Sequence, residues 1–269
     1  MVAILFICGT ALTLATLALV TRHLPKRRNF TGNHIPTATG ITLLPIILTT
    51  LLVLFSGWGA VAWDAGVVSF VVYAALCGVV GFVDDVWGDA GARGFRGHFG
   101  ALMRGRVTTG LVKVTVLGGG ALLVGVYEFG VGWEALVGAV ILAGSANLAN
   151  LLDLRPGRAL KFVGVPVFGL MYVAPGGAML AVAGIVGGAV GVFYFDARGR
   201  IMLGDAGAAI LGGVLGYLIL AHGPGTLWWV SLAAILGLTA VAEFFSFSKI
   251  IEEVAFLRRF DAWGRGRNE

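Results

Sequence analysis

Asp84 and Asp85 stand side by side at the end of an apolar run, residues 67–83, in a chain with only 14 acidic residues. An ionised carboxylate at the edge of hydrocarbon costs a few kcal/mol on insertion scales, so acids in such places mark functional sites by default. Asp153 closes a second apolar run, 135–152, and Asp205 opens a third, 206–221. Hard divalent cations such as Mg2+ take oxygen ligands, commonly one or two carboxylates together with substrate phosphates. Four carboxylates at helix ends on one membrane face would be the donor set of such a metal and phosphate site.

The elements that must position them are membrane helices. The chain is 58% hydrophobic and 12% charged, with a mean hydropathy of +0.93, against about 25% charged residues in a soluble domain. With about 20 apolar residues needed per helical span, nine candidates appear, at 2–20, 38–57, 65–83, 110–127, 134–152, 160–174, 177–195, 206–221 and 226–245. The first lacks a basic leader and a small-residue cleavage site, so it reads as a retained helix. The expected fold is all-α and polytopic, with a transmembrane catalytic domain at 1–245 and an amphipathic cytoplasmic segment at 246–269.

The basic residues orient these spans. All 19 Lys and Arg fall in segments 22–28, 93–113, 155–161, 198–200 and 249–267, and the intervening turns near 57–64, 127–134, 175–177 and 222–226 carry none. Positively charged loops stay cytoplasmic, which predicts an N-terminus outside, a C-terminus inside and all four acids at the cytoplasmic face. The basic balance therefore reports membrane orientation and anionic substrates, and says nothing of nucleic acid, which is not expected as a partner. Cys8 and Cys77 both lie within spans and offer neither a metal spacing nor a disulfide framework. Glycines inside the spans, such as Gly187-Gly188 and Gly212-Gly213, read as close helix packing.

Two basic groups flank the acids. The loop from Gly88 to Lys113 interleaves glycine with Arg93, Arg96, His98, Arg104 and Arg106, and the planar guanidinium fork matches phosphate. Thr108 or Thr109 is placed to cap the helix that follows. Arg155, Arg158 and Lys161 form the second group, beside Asp153, as a place for a diphosphate. Plainer roles exist for each: lipid-headgroup contacts for the arginines, a loop hydrogen bond for His98, an N-cap for Asp205, a solvated helix end for Asp85, and salt bridges to Arg96 or Arg155 for Asp84 and Asp153. Residues 246–267 read as one amphipathic helix on the membrane surface.

Four motifs carry a resemblance. Pro36-Thr37-Ala38-Thr39-Gly40, Gly81-Phe82-Val83-Asp84-Asp85, Asn147-Leu148-Ala149-Asn150-Leu151-Leu152-Asp153 and Leu203-Gly204-Asp205-Ala206-Gly207 resemble, in order, motifs of the polyprenyl-phosphate N-acetylhexosamine-1-phosphate transferases. The resemblance implies a shortened, divergent member that transfers a phosphosugar from a nucleotide-diphosphate sugar, UDP-linked in the family, to polyprenyl phosphate, typically undecaprenyl phosphate. That is the first membrane step of a cell-surface or cell-wall glycan. It implies Mg2+, with Mn2+ as an alternative, held by Asp205 and Asp153, and catalytic roles for Asp84, Asp85 and Asp205. Substrate contacts would come from Thr37, Arg96, His98, Lys113, Asn147, Asn150, Asp153, Arg155 and Arg158. A multi-pass plasma-membrane location, a cytoplasmic active site, bound membrane lipid and a homodimer complete the expectation. The chain departs from the family where Leu154-Arg155-Pro156 replaces a Gly-Leu-Asp continuation, and where a late histidine-rich loop has no counterpart. Alternatives are a different donor on the same fold, a prenyl-phosphate or lipid transporter, and a catalytically silent scaffold.

Overall fold

The computed structural model describes residues 1–56, 65–88, 97 and 100–265. Apart from one small hairpin the described chain is helical. Helix α1 (Val2–Val20) leads to a two-stranded antiparallel hairpin, β1 (Lys26–Arg28) paired with β2 (His34–Pro36). A 3-10 turn (Thr39–Leu43) then runs directly into α2 (Leu44–Phe55). There follow α3 (Ala65–Trp87), α4 (Thr109–Phe129), α5 (Trp133–Leu152), α6 (Arg158–Val173), α7 (Gly176–Asp196), α8 (Gly204–Leu220) and α9 (Thr226–Phe244). Two short helices, α10 (Phe247–Glu253) and α11 (Ala255–Ala262), complete the described chain.

Six of these helices, α1, α3, α4, α5, α7 and α9, are long and apolar enough to cross a membrane, and 39–55 and α8 are shorter apolar helices. The protein is thus an all-α polytopic membrane protein. Helix α6 has 16 residues with Pro166 inside it. The expected single helix over 246–267 is two helices broken at Val254, whose backbone is extended.

Helix α8 is the axis of the bundle. It packs against α3, α5, α6, α7 and the 3-10 turn, and of its 17 residues only Asp205 and Leu215 escape burial. Lipid offers apolar side chains no reason to leave it, so such contacts are held by close fit between small residues and by hydrogen bonds. Gly40 in the 3-10 turn meets Gly207 of α8 so closely that a Cβ on Gly40 would run into the Gly207 backbone. Phe70 stacks on Tyr217, centroids 4.0 Å apart, and Trp228 Nε1 donates to the Ile219 carbonyl at 3.0 Å.

The two ends of this packing fix the acids. Helix α3 continues through Trp87, so Asp84 and Asp85 lie in its last turns rather than beyond it. Gly204, at φ 75°, turns the chain into α8 and puts Asp205 in the first turn.

Candidate active site

The four carboxylates do meet, and they divide into two pairs. Asp84 and Asp205 converge on one ammonium: Lys113 Nζ, from α4, pairs with Asp84 Oδ2 at 3.3 Å and with Asp205 Oδ2. Thr108 fixes the start of that helix, its Oγ1 accepting from Leu111 N–H at 3.2 Å, as the cap expected there.

Asp85 and Asp153 grip backbone instead. The Asp205 N–H donates to Asp85 Oδ1 at 3.0 Å and the Ala206 N–H to Asp85 Oδ2 at 3.1 Å. The Gly204 N–H donates to Asp153 Oδ2, also at 3.0 Å. A helix starts with unsatisfied N–H groups and a partial positive charge, both of which attract carboxylates. The residue before α8 is Leu203, which has no side chain to cap with. Asp85 therefore caps α8 from another helix. The N-cap reading of Asp205 and the solvated-end reading of Asp85 both fail for this reason. Gly204 also has no room for a side chain, because a Cβ there would press on the Asp85 carboxylate.

Among the described residues, four carboxylates with one ammonium leave the site short of positive charge. Burial, then the negative charges of Asp196, Asp205 and Asp85, push the Asp153 carboxyl well above its ordinary value. Asp153 Oδ1 has no partner among the described residues. No three His, Cys, Asp or Glu side chains converge at metal-binding spacing among the described residues. Two hard carboxylate oxygens already facing one cationic head group nevertheless suit Mg2+, which completes its shell with water and substrate phosphate.

The remaining expected residues fall at varied distances from this centre. Asn150 has a buried Oδ1 without a partner among the described residues, and Asn147 lies exposed on the same helix. Thr37 is buried, its N–H donating to the Pro25 carbonyl at 2.9 Å. Arg96 and His98 lie outside the described residues. Arg155 stays near Asp153, its guanidinium 5.1 Å from the Phe30 ring centroid and 3.2 Å from Glu252. Asn29, Phe30, Asp153, Arg155, Pro156 and Met202 line an open groove there.

Arg158 and Lys161 are not a diphosphate site. Arg158, 1% exposed, donates through Nε and Nη2 to both oxygens of Asp261, at 2.9 and 2.8 Å, and through Nη1 to Ser248 Oγ. Lys161 Nζ donates to the main-chain carbonyls of Asp261 and Trp263. Five and eight residues past Asp153, across a non-helical loop, these side chains already face the C-terminal segment, and an unpaired buried charge would be costly. Asp261 is thus a structural acid that its position in an amphipathic stretch did not reveal. Burial works to raise its carboxyl, but the hydrogen bonds and charge of Arg158, followed by Arg265, hold it below the ordinary aspartate value.

Asp196 was missed as well. It ends α7 buried, accepting from Gly157 N–H at 2.7 Å and Leu203 N–H at 2.9 Å. It thereby ties the loop after Asp153 to the residue before Gly204-Asp205. Its signal was the one used for the other four, an acid closing an apolar run on the basic side.

The sequence model described as Glycosyl transferase family 4 matches residues 67–223, more than half of the chain. The chain belongs to glycosyl transferase family 4. All four motif acids lie within that match, Asp84 and Asp85 on α3, Asp153 at the end of α5 and Asp205 on α8, as does the Lys113 of α4 that joins two of them. Similar proteins include the phospho-N-acetylmuramoyl-pentapeptide-transferase of Dinoroseobacter shibae, 27% identical over 234 residues, covering 73% of this chain and 62% of that protein. The protein of the same description from Desulfovibrio desulfuricans is 28% identical over 216 residues, covering 69% and 58%. The family 4 chain thus spans about three fifths of the length of these curated relatives.

Proposed function

We propose that this family 4 protein transfers a phosphosugar, an N-acetylhexosamine 1-phosphate, from a UDP-linked donor to polyprenyl phosphate on the cytoplasmic face of the plasma membrane. The observation that carries the reading is the meeting of Asp84, Asp205 and Lys113, with Asp85 and Asp153 fastened to the first amides of α8. Nine spans, counting 39–55, α6 and α8, with the N-terminus outside, would put every basic segment and every site acid on one side.

In this reaction an oxygen of the prenyl phosphate attacks the β-phosphorus of the nucleotide sugar. The bond from that phosphorus to the bridging oxygen breaks, and UMP departs with the oxygen. Both reactants are anions, so the protein's task is positioning and charge neutralisation. Asp84 accepts the acceptor's proton or orients the attacking oxygen, and Lys113 holds Asp84 and Asp205 at a common point. Asp85 fixes the start of α8, and so the direction of Asp205. Asp205, with Asp153 Oδ1 in reach of the same region, would hold Mg2+, which when bound polarises the phosphoryl oxygens. Phe30 and Arg155 would face the nucleoside end in the groove beside Asp153. A donor with another nucleotide is the second reading, favoured by Leu154-Arg155-Pro156 lining that groove.

The test is purified protein with polyprenyl phosphate, Mg2+ and a panel of nucleotide sugars, scored for lipid product and nucleotide release. Asp205→Asn should abolish turnover at every Mg2+ concentration. Asp84→Asn should lower turnover by about 10²- to 10⁴-fold if it serves as base, with a defect that shrinks as pH rises. Wild-type rates in Asp205→Asn, or no product from any donor, would overturn the reading.

A further inference from the structure

Arg27 takes no part in the chemistry above, yet it touches the site. It is exposed on β1, and its Nη2 donates to the main-chain carbonyl of Asp85 at 2.7 Å. A guanidinium is thereby set at the end of the helix that carries both motif aspartates.

The hairpin holds it there firmly. The Met202 N–H donates to the Pro36 carbonyl at 2.8 Å, and Thr39 returns its N–H and Oγ1 to the Met202 carbonyl at 3.2 and 2.8 Å. The Gly40 N–H donates to the Leu203 carbonyl at 2.8 Å. β2 and the turn after it are therefore laced to the two residues that precede Gly204-Asp205. β1 with Arg27 is held to them through its antiparallel pairing with β2, and the tip of the same hairpin supplies Asn29 and Phe30 to the groove beside Asp153.

Capping a helix end needs one or two N–H groups, whereas a guanidinium offers five in a planar fork. Among the described residues only the one bond to Asp85 is made by Arg27. The neighbouring cations are engaged: Lys113 with Asp84 and Asp205, Arg28 with His34, Arg155 with Glu252, Arg158 with Asp261. Phosphate entering a site with, among the described residues, four carboxylates and one ammonium needs a further donor, and Arg27 is an exposed guanidinium at its edge.

We infer that Arg27 is a substrate phosphate-binding residue, its remaining N–H groups taking phosphoryl oxygens brought in by the nucleotide donor or by the prenyl phosphate. The identity of those two phosphate sources rests on the proposed transfer reaction. Bound to the Asp85 carbonyl, Arg27 would register the incoming phosphate against the helix end that carries Asp84.

Calorimetric titration of the full chain in lipid nanodiscs tests this, with UDP, farnesyl phosphate and uridine as probes in the presence of Mg2+. Arg27→Gln should weaken UDP or farnesyl phosphate binding roughly 10- to 100-fold, the size of one charge-assisted pair, and leave uridine unchanged. Loss for UDP assigns the donor diphosphate, and loss for farnesyl phosphate assigns the acceptor. Arg27→Lys should recover part of the loss, and Arg22→Gln, the same charge change outside the site, none of these effects. Unchanged binding of both phosphate probes by Arg27→Gln, an equal loss for uridine, or no phosphate binding by the wild type overturns the inference. Turnover with Arg27-independent binding would leave the reaction standing without it. Arg27-dependent phosphate binding without turnover would do the reverse.

Discussion

Replacing Asp85 by alanine should open the start of α8 while leaving the rest of the helix closed. The carboxylate accepts two backbone N–H groups, of Asp205 and Ala206, at 3.0 and 3.1 Å. A hydrogen bond to a charged group contributes about 1.5–3 kcal/mol. Because the two share one carboxylate, the loss should fall short of the full sum, at about 3 kcal/mol. At about 1.4 kcal/mol per tenfold, the opening equilibrium of these amides rises roughly 100-fold. Hydrogen exchange followed by mass spectrometry on a peptide covering 203–207 reads this directly, since local opening is what exchange measures. Asp85→Asn keeps an acceptor, and Asn is nearly as good a cap as Asp, so its exchange should rise by no more than about tenfold. Turnover should separate the variants differently, because both lose the charge beside Asp205. Exchange at 203–207 that is equally slow in wild type and Asp85→Ala would refute the capping role and return Asp85 to direct chemistry alone.

Asp261→Asn should cost about 3–5 kcal/mol, the range for stripping one partner from a buried ion pair, and should expose 246–265 to protease. Its carboxyl is held below the ordinary value, so the clamp is complete above the unfolded value of about 4 and weakens only as pH falls through the lower folded value. Protease sensitivity of this segment should therefore be flat from pH 8 to 5 and rise in stronger acid. Gly40→Ala should lower the thermal midpoint and impair turnover, since overpacking costs about 1–3 kcal/mol and no flexible side chain is there to yield; an unchanged melt would contradict the close crossing with Gly207. With Cys8 and Cys77 replaced, an impermeant thiol reagent applied outside should label Ser56→Cys or Gly132→Cys and spare Arg200→Cys, and the opposite pattern would reverse the orientation.

Span edges were legible because hydrophobic runs end where helices end: the start or finish of α1, α4, α5, α7 and α9 lies within two residues of its expected place. The acids were legible as charges where charge is expensive. Their division of labour was not, because a carboxylate gripping α8 from α3 leaves no local pattern around Asp85. Arg158 and Lys161 misled by proximity, being close to Asp153 in sequence while their partner Asp261 lies 103 residues beyond Arg158. The hairpin had a readable signal that span-finding passes over. Asn29 Oδ1 accepts from the N–H groups of Thr31 and Asn33, a turn in which an Asn side chain stands in for backbone.

The Arg158–Asp261 clamp also sets a clock on biosynthesis. Chains are made from the N-terminus at about 5–20 residues per second, so the 103 residues between the partners take on the order of 5–20 s to emerge. For that interval Arg158 sits at the start of α6 with its counter-charge unmade, while α7, α8 and α9 are still entering the bilayer. Asp196 can tie the loop after Asp153 once α7 is made, whereas the clamp on Arg158 is added last, after every membrane helix of the bundle has been synthesised.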